Sequence, residues 1–206
     1  RKAWGPGDWK VLGRERDPAG RTFKGFPAFL KSRPKGKPFC FWLGTGDPHR
    51  PYKKDSGAAA GMDLSKVHLF DCFPDSAEVR GDVADYYFEV QRYDTLVGNA
   101  MAALEEIGQL DNTIILMTGD HGMPFPRCKS NLYDSGTRVA LAIRGPMNTK
   151  GERETDEFVS LCDLAPTFLE IAGVEIPDDM TGRSLTPILF NQQREASNRN
   201  HILVGK

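Results

Sequence analysis

The chain has 206 residues, 39% hydrophobic and 27% charged, a balance that suits one soluble globular domain or a large piece of one. Its 27 basic and 28 acidic side chains are interspersed and leave a formal net charge of -1, which excludes a broad basic field for nucleic acid or acidic lipid. Any anion must therefore be held by a local cluster. No apolar run reaches the length of a membrane span, no signal peptide is present, and the chain opens at Arg1, as expected of a processed or excised segment.

Residues 1–20 mix Gly, Pro, Trp and charge without periodicity and read as an irregular segment. Phe23, Phe26, Phe29 and Leu30 recur at helical spacing until Ser32-Arg33-Pro34-Lys35-Gly36-Lys37-Pro38 breaks the pattern, which predicts a short amphipathic helix and a basic turn. Phe39-Cys40-Phe41-Trp42-Leu43 is a continuous apolar run of the kind that forms a strand covered on both faces. It ends in Gly44-Thr45-Gly46-Asp47-Pro48-His49-Arg50-Pro51-Tyr52, where two prolines stiffen the backbone around His49 and Arg50. Such stiffness suits an imidazole that must meet a reacting oxygen, and equally one that caps a backbone group in a rigid surface loop. Small and polar residues over 53–65 predict a mobile loop at a substrate entrance. His68 lacks an acidic or sulfur partner at ligand spacing and reads as structural.

Ser76 is the expected N-cap of a long helix from Ala77 to Ile107, whose stripe of Val79, Val83, Tyr86, Tyr87, Val90 and their successors recurs by threes and fours. Gly108 closes it, and Asp111-Asn112 turns into the strand Ile114-Ile115-Leu116-Met117. Thr118-Gly119-Asp120-His121-Gly122 stops that strand abruptly, leaving an acid and an imidazole side by side where open α/β sheets bind ligands. The pair suits a hard cation, or a turn in which Asp120 accepts backbone N–H bonds. Lys129 follows on a Pro-stiffened loop, placed either as a point charge for a tetrahedral anion or as a solvated lysine. Residues 138–144 predict another strand, 150–157 an exposed charged stretch, 163–173 a helix capped by Asp163 and stopped by Gly173, 181–189 a short apolar element, and 201–204 a last strand cut short. Cys40, Cys72, Cys128 and Cys162 form no close-spaced pair, and Cys40 and Cys162 read as small buried residues.

Five of these stretches, in this order, resemble type I sulfatases, most of all the heparan N-sulfatase-like branch: Gly46-Asp47-Pro48-His49-Arg50-Pro51, Thr118-Gly119-Asp120-His121-Gly122, the segment from Pro124-Phe125-Pro126 to Asn131-Leu132-Tyr133, Ser160-Leu161-x-Asp163-Leu164-x-Pro166-Thr167, and Thr181-Gly182-Arg183-Ser184-Leu185. The resemblance implies an alkaline phosphatase-like α/β fold, with a mostly parallel central sheet flanked by helices. It makes Asp120 and His121 ligands of one Ca2+ ion. It makes His49 and Lys129 catalytic and sulfate-binding residues, His49 assisting the leaving group, with Arg50 and Arg127 as candidate substrate contacts. In the family a formylglycine, made from the Cys of Cys-x-Pro-Ser-Arg, attacks sulfur in a sulfate ester or sulfamate. Cys72-Phe73-Pro74-Asp75-Ser76 lacks the Ser-Arg ending and follows the His49 motif, so it is not that nucleophile. Residues 1–206 are therefore expected to be the downstream part of one catalytic domain, inactive alone. Its partners would be a sulfated glycan or small molecule and the missing upstream half. A periplasmic or secreted location follows from the bacterial relatives. Two alternatives remain at this point: a phosphoester or phosphonate hydrolase of the same superfamily, and a non-catalytic module that binds sulfated glycans.

Overall fold

Phenylalanine spacing organises the start of the chain. In the computed structural model, which describes residues 9–146, 153–190 and 199–205, the chain forms two compact units, Arg1–Leu110 and Asp111–Lys206. In the first, helix α1 (Phe26–Ser32) presents Phe26 and Phe29 to Phe23, Phe39 and Phe41. The Phe29 and Phe41 rings stack at 4.6 Å, and Phe39 meets Phe29 edge-on at 5.4 Å. Each such pair adds about 0.5–1.5 kcal/mol to what area burial contributes. Residues 39–43 run alongside without a ladder partner among the described residues. Phe39 and Phe41 are half-buried while Cys40 and Trp42 are exposed, so the expected strand covered on both faces is instead an extended segment covered on one. Cys40 falls on the open side and is exposed, and so is Cys162; the buried cysteine is Cys128.

The stretch expected to be mobile, 53–65, contains helix α2 (Ser56–Ala59) and a 3-10 turn, Leu64–Lys66. It lies on helix α3 (Ala77–Glu106), which starts at Ser76, whose hydroxyl accepts from the Val79 N–H at 3.3 Å, and stops at Gly108 in the left-handed region. A Cβ on Gly57 would lie 2.5 Å from the Ala84 backbone, so a glycine is needed for the two helices to meet. The buried Asp85 carboxylate accepts from the N–H groups of Asp55 (3.0 Å) and Gly57 (2.8 Å), which fastens α2 to α3. The buried face of α3 thus includes two acids, Asp85 and Glu89, that the apolar stripe does not contain.

In the second unit, β1 (Ile115–Thr118) pairs with β2 (Leu141–Arg144), with helix α4 (Asp134–Thr137) between them. The strands are antiparallel, Ile115 opposite Arg144 and Thr118 opposite Leu141. A mostly parallel sheet is therefore not what the described residues form: residues 119–140 return the chain directly beside β1, and a parallel neighbour would need a crossover to a further strand. Residues 201–204, expected as a strand, are irregular. Residues 1–8 of the irregular start, Lys150–Glu152 of the charged stretch and Lys206 lie outside the described residues, and 153–157 are exposed as expected.

The two last family-like motifs converge on one carboxylate. Asp163 is fully buried at the end of a 3-10 turn (Leu161–Asp163) that leads into α5 (Leu164–Ile171). It accepts from Ser160 N (2.8 Å), Arg183 N (2.8 Å) and both terminal nitrogens of Arg199 (2.5 and 3.0 Å). Rather than capping α5 with its side chain, Asp163 completes a reciprocal capping box with Ser160 one turn earlier. Thr167 Oγ1 donates to the Asp163 carbonyl at 2.6 Å and accepts from Leu185 N at 2.8 Å, which seats the chain before α6 (Thr186–Leu189). A Cβ on Gly182 would lie 2.0 Å from the Cys162 carbonyl oxygen.

Burial pushes the Asp163 carboxyl up, but the bonds from Arg199, Arg183 N and Ser160 N outweigh it and hold the group below the usual carboxylate range. Its contribution to stability is therefore complete above an unfolded pKa of about 3.9 and is lost as pH falls through the lower folded value. Asp163→Asn leaves Arg199 opposite a neutral amide and is expected to cost about 3–5 kcal/mol in urea unfolding at pH 7. The difference from wild type should shrink below about pH 4.

Candidate functional site

His49 lies in the irregular loop that follows residues 39–43, its N–H bonded to the Gly46 carbonyl at 2.8 Å. The Asp47-Pro48 and Arg50-Pro51 peptide bonds on either side are cis. His49 Nδ1 is 2.5 Å from the Arg50 carbonyl oxygen. A carbonyl only accepts, so Nδ1 carries the hydrogen and the neutral ring keeps its lone pair on Nε2. Arg50 makes two bonds to Asp82, at 2.9 and 2.5 Å, and its guanidinium lies 4.7 Å over the Tyr52 ring. The bond to Asp82 raises the Arg50 pKa further. Tyr52 donates to the Pro48 carbonyl at 3.1 Å, and burial pushes its phenol up to about 12. Asp47 pairs with Arg92 at 3.3 Å, and Arg92 also reaches Glu89 at 3.4 Å. Burial holds the Glu89 carboxyl above the usual range; Arg92 opposes the shift and the nearby Asp47 charge reinforces it.

In the second unit the loop after β1 turns at Gly119 and presents Asp120 and His121. His121 Nδ1 is 2.8 Å from the Gly122 carbonyl oxygen, so this ring too carries its hydrogen on Nδ1. Its Nε2 faces the Asp120 carboxylate, 3.5 Å from Oδ1. A lone-pair nitrogen and a carboxylate oxygen at that separation suit adjacent positions on a hard divalent cation. Among the described residues no group of three or more His, Cys, Asp or Glu side chains gathers around them, so the pair by itself falls short of the 6–8 oxygen-rich ligands a calcium ion takes.

The loop is built on two glycines. A Cβ on Gly122 would lie 1.9 Å from the Ser135 carbonyl oxygen, and one on Gly136 2.3 Å from that of Cys128. This close approach lets Gly122 N donate to Gly136 O at 3.0 Å and folds residues 123–133 back on themselves. Lys129 N donates to Met123 O at 3.0 Å, leaving the Lys129 side chain half-buried in the same loop system as His121. Arg127, in the left-handed region, is exposed and lies 5.6 Å over the Tyr133 ring.

Four of the sequence-predicted residues, Asp120, His121, Arg127 and Lys129, thus share one loop of the second unit, and His49 and Arg50 share one loop of the first. Arg50 is already paired with an acid, Asp82, that belongs to none of the family-like motifs. Asp82, Asp85, Glu89 and Arg92 recur at intervals of three, four and three, which places all four on one face of α3. That charged periodicity is the sequence signal for this face, and it runs beside the apolar stripe of the same helix. The segment from Cys72 to Ser76 is used structurally: Asp75 binds Arg80 at 2.6 Å, and Ser76 caps α3. His68 is likewise structural, its carbonyl accepting from Tyr87 and its ring lying edge-on to Phe70.

Comparison with known proteins bears on all of these loops. The Sulfatase family model matches residues 12–174. A human N-sulphoglucosamine sulphohydrolase is 36% identical over 168 residues, covering 77% of this chain and 33% of its own length. An ulvan-active sulfatase from Formosa agariphila is 34% identical over 156 residues, covering 74% of this chain and 26% of its own. The chain thus spans about a quarter to a third of the length of these curated relatives. A solved Bacteroides thetaiotaomicron structure from work on glycosaminoglycan metabolism superposes with a TM-score of 0.71 at 24% identity, covering 82% of this chain and 38% of its own, a likeness of fold.

The glycine constraint is testable. Gly122→Ala and Gly136→Ala are each expected to lower stability by about 1–3 kcal/mol or more in chemical unfolding, because backbone must move to admit the methyl group. Gly119→Ala, whose Cβ would meet nothing closer than 3.6 Å, should unfold like wild type.

Proposed function

Because the chain belongs to the sulfatase family, we propose that it supplies part of the catalytic domain of a sulfuric ester or sulfamate hydrolase acting on a sulfated glycan or a small sulfated molecule. The observation that carries this reading is the Asp120–His121 couple at the end of β1, inside a family match that also spans His49 and Lys129. The N-sulphoglucosamine and ulvan relatives support a sulfated sugar as substrate. A polymeric substrate of that kind supports an exported, periplasmic or secreted enzyme.

In this reading Asp120 and His121 Nε2 hold calcium together with ligands from outside this loop. When bound, calcium supplies positive charge to the sulfuryl oxygens, and formylglycine supplies the attacking oxygen. Lys129 offers an ammonium group to a sulfuryl oxygen, a point charge that offsets the negative charge growing there. His49, protonated on both nitrogens, passes the Nε2 proton to the departing oxygen or nitrogen while Nδ1–H stays on the Arg50 carbonyl. Arg127, exposed on the same loop as Lys129, is a further candidate substrate contact. The nucleophile comes from outside residues 1–206, since Cys72-Phe73-Pro74-Asp75-Ser76 lacks the Ser-Arg ending, and the 206-residue chain alone is expected to be inactive.

Hydrolysis of N-sulfoglucosamine, 4-nitrophenyl sulfate and a matching phosphonate ester tests this, using the polypeptide that joins this chain to a formylglycine-bearing segment. Both sulfated substrates should turn over faster than the phosphonate. His49→Ala should lower kcat about 10²–10⁴-fold and Lys129→Ala about 10²–10³-fold. A preference for the phosphonate, or turnover by the 206-residue chain alone, would overturn the assignment.

A further inference from the structure

We propose that Asp82 is a positioning residue for His49, acting through Arg50; the inference rests on the reading of His49 as the group that protonates the leaving atom. His49 stands in a loop without regular hydrogen bonding, so nothing in a sheet or helix ladder aims its ring. What aims it is the Arg50 carbonyl, which receives Nδ1–H and so turns Nε2 to the other side of the imidazole. The direction of that carbonyl follows from how Arg50 is held. Its guanidinium is gripped by both oxygens of Asp82, the fork-to-fork geometry that fixes orientation as well as distance.

Asp82 is part of α3, a 30-residue helix and the most extended regular element of this unit. The same helix holds the other flank of His49, because Arg92 pairs with Asp47. Between the two, Asp85 holds the backbone of Asp55 and Gly57. One helix face therefore takes hold of the loop before, after and downstream of the histidine. Tyr52 completes the frame, its ring under Arg50 and its hydroxyl on the Pro48 carbonyl.

The Asp82–Arg50 pair is poorly placed to act as a stability element. Its side chains are 43% and 39% exposed, and ion pairs open to solvent contribute about 0–1 kcal/mol. A contact with small weight in unfolding and a direct mechanical link to the imidazole is expected to act on the ring. It also gives Arg50 a task other than binding substrate, and a lysine there would lack the fork.

The experiment is ¹⁵N NMR of the imidazoles in the 206-residue chain, with the His49 signals assigned by their loss in His49→Gln. In the wild type the His49 shifts should show hydrogen on Nδ1. Asp82→Asn should move them toward the mixed tautomers of a free imidazole with little change in the unfolding midpoint, and Asp82→Glu should restore much of the wild-type pattern. Unchanged His49 shifts in Asp82→Asn, or no recovery in Asp82→Glu, would overturn the proposal. In the formylglycine-bearing enzyme, Asp82→Asn should lower kcat at least tenfold for an alkyl sulfate or sulfamate, whose leaving group needs a proton. It should change kcat much less for 4-nitrophenyl sulfate, whose leaving group does not. Shifts that move as expected without this leaving-group dependence would leave the positioning intact and refute His49 as the acid.

Discussion

A buried carboxylate that takes backbone N–H groups from a distant stretch of chain is the interaction on which each unit rests. Most of the described residues are irregular, and irregular backbone cannot satisfy its own donors in a ladder. Asp85 does this for residues 55–57 and Asp163 does it for Ser160 and Arg183. Burying a carboxylate is costly unless it is bonded, so each acid fixes the chain that approaches it as firmly as the chain fixes the acid. Asp163 carries the further charge of Arg199, and its low pKa records that the attractions exceed the burial penalty.

Close backbone approach is the second requirement, and glycine supplies it. Gly57 against Ala84, Gly122 against Ser135, Gly136 against Cys128 and Gly182 against Cys162 are all places where a methyl group would overlap a neighbouring backbone. In each case the contact brings a loop next to a helix or another loop that carries a motif residue. The rigidity expected of a site on loops comes here from these contacts and from the carboxylates.

The two histidines show how such a frame reaches the chemistry. Both His49 and His121 give Nδ1–H to the carbonyl of the residue that follows them. The same local bond sets both rings: at His121 it turns Nε2 toward the Asp120 carboxylate, and at His49 it turns Nε2 away from the Arg50 carbonyl, the orientations the proposed ligand and acid roles require. Membership in the sulfatase family accounts for why both loops occur in one chain, and the α3 face accounts for how one of them is held.

By itself the sequence determined the long helix from Ser76 to Gly108, the strand before Asp120, the loop residues Asp120, His121, Lys129 and His49 as candidates, and the family, because helical period, caps and ordered motifs are local properties. It misread residues 39–43 and 201–204 as strands, because a strand exists only where another segment offers its hydrogen bonds, and that partner is not written in the strand. It placed Cys40 inside, since an apolar run does not say which face is covered. Asp82, Asp85, Glu89, Arg92 and Arg199 gained their meaning only from tertiary structure. A charged side chain on a helix looks solvated until the loop it binds, more than 25 residues away, folds over it.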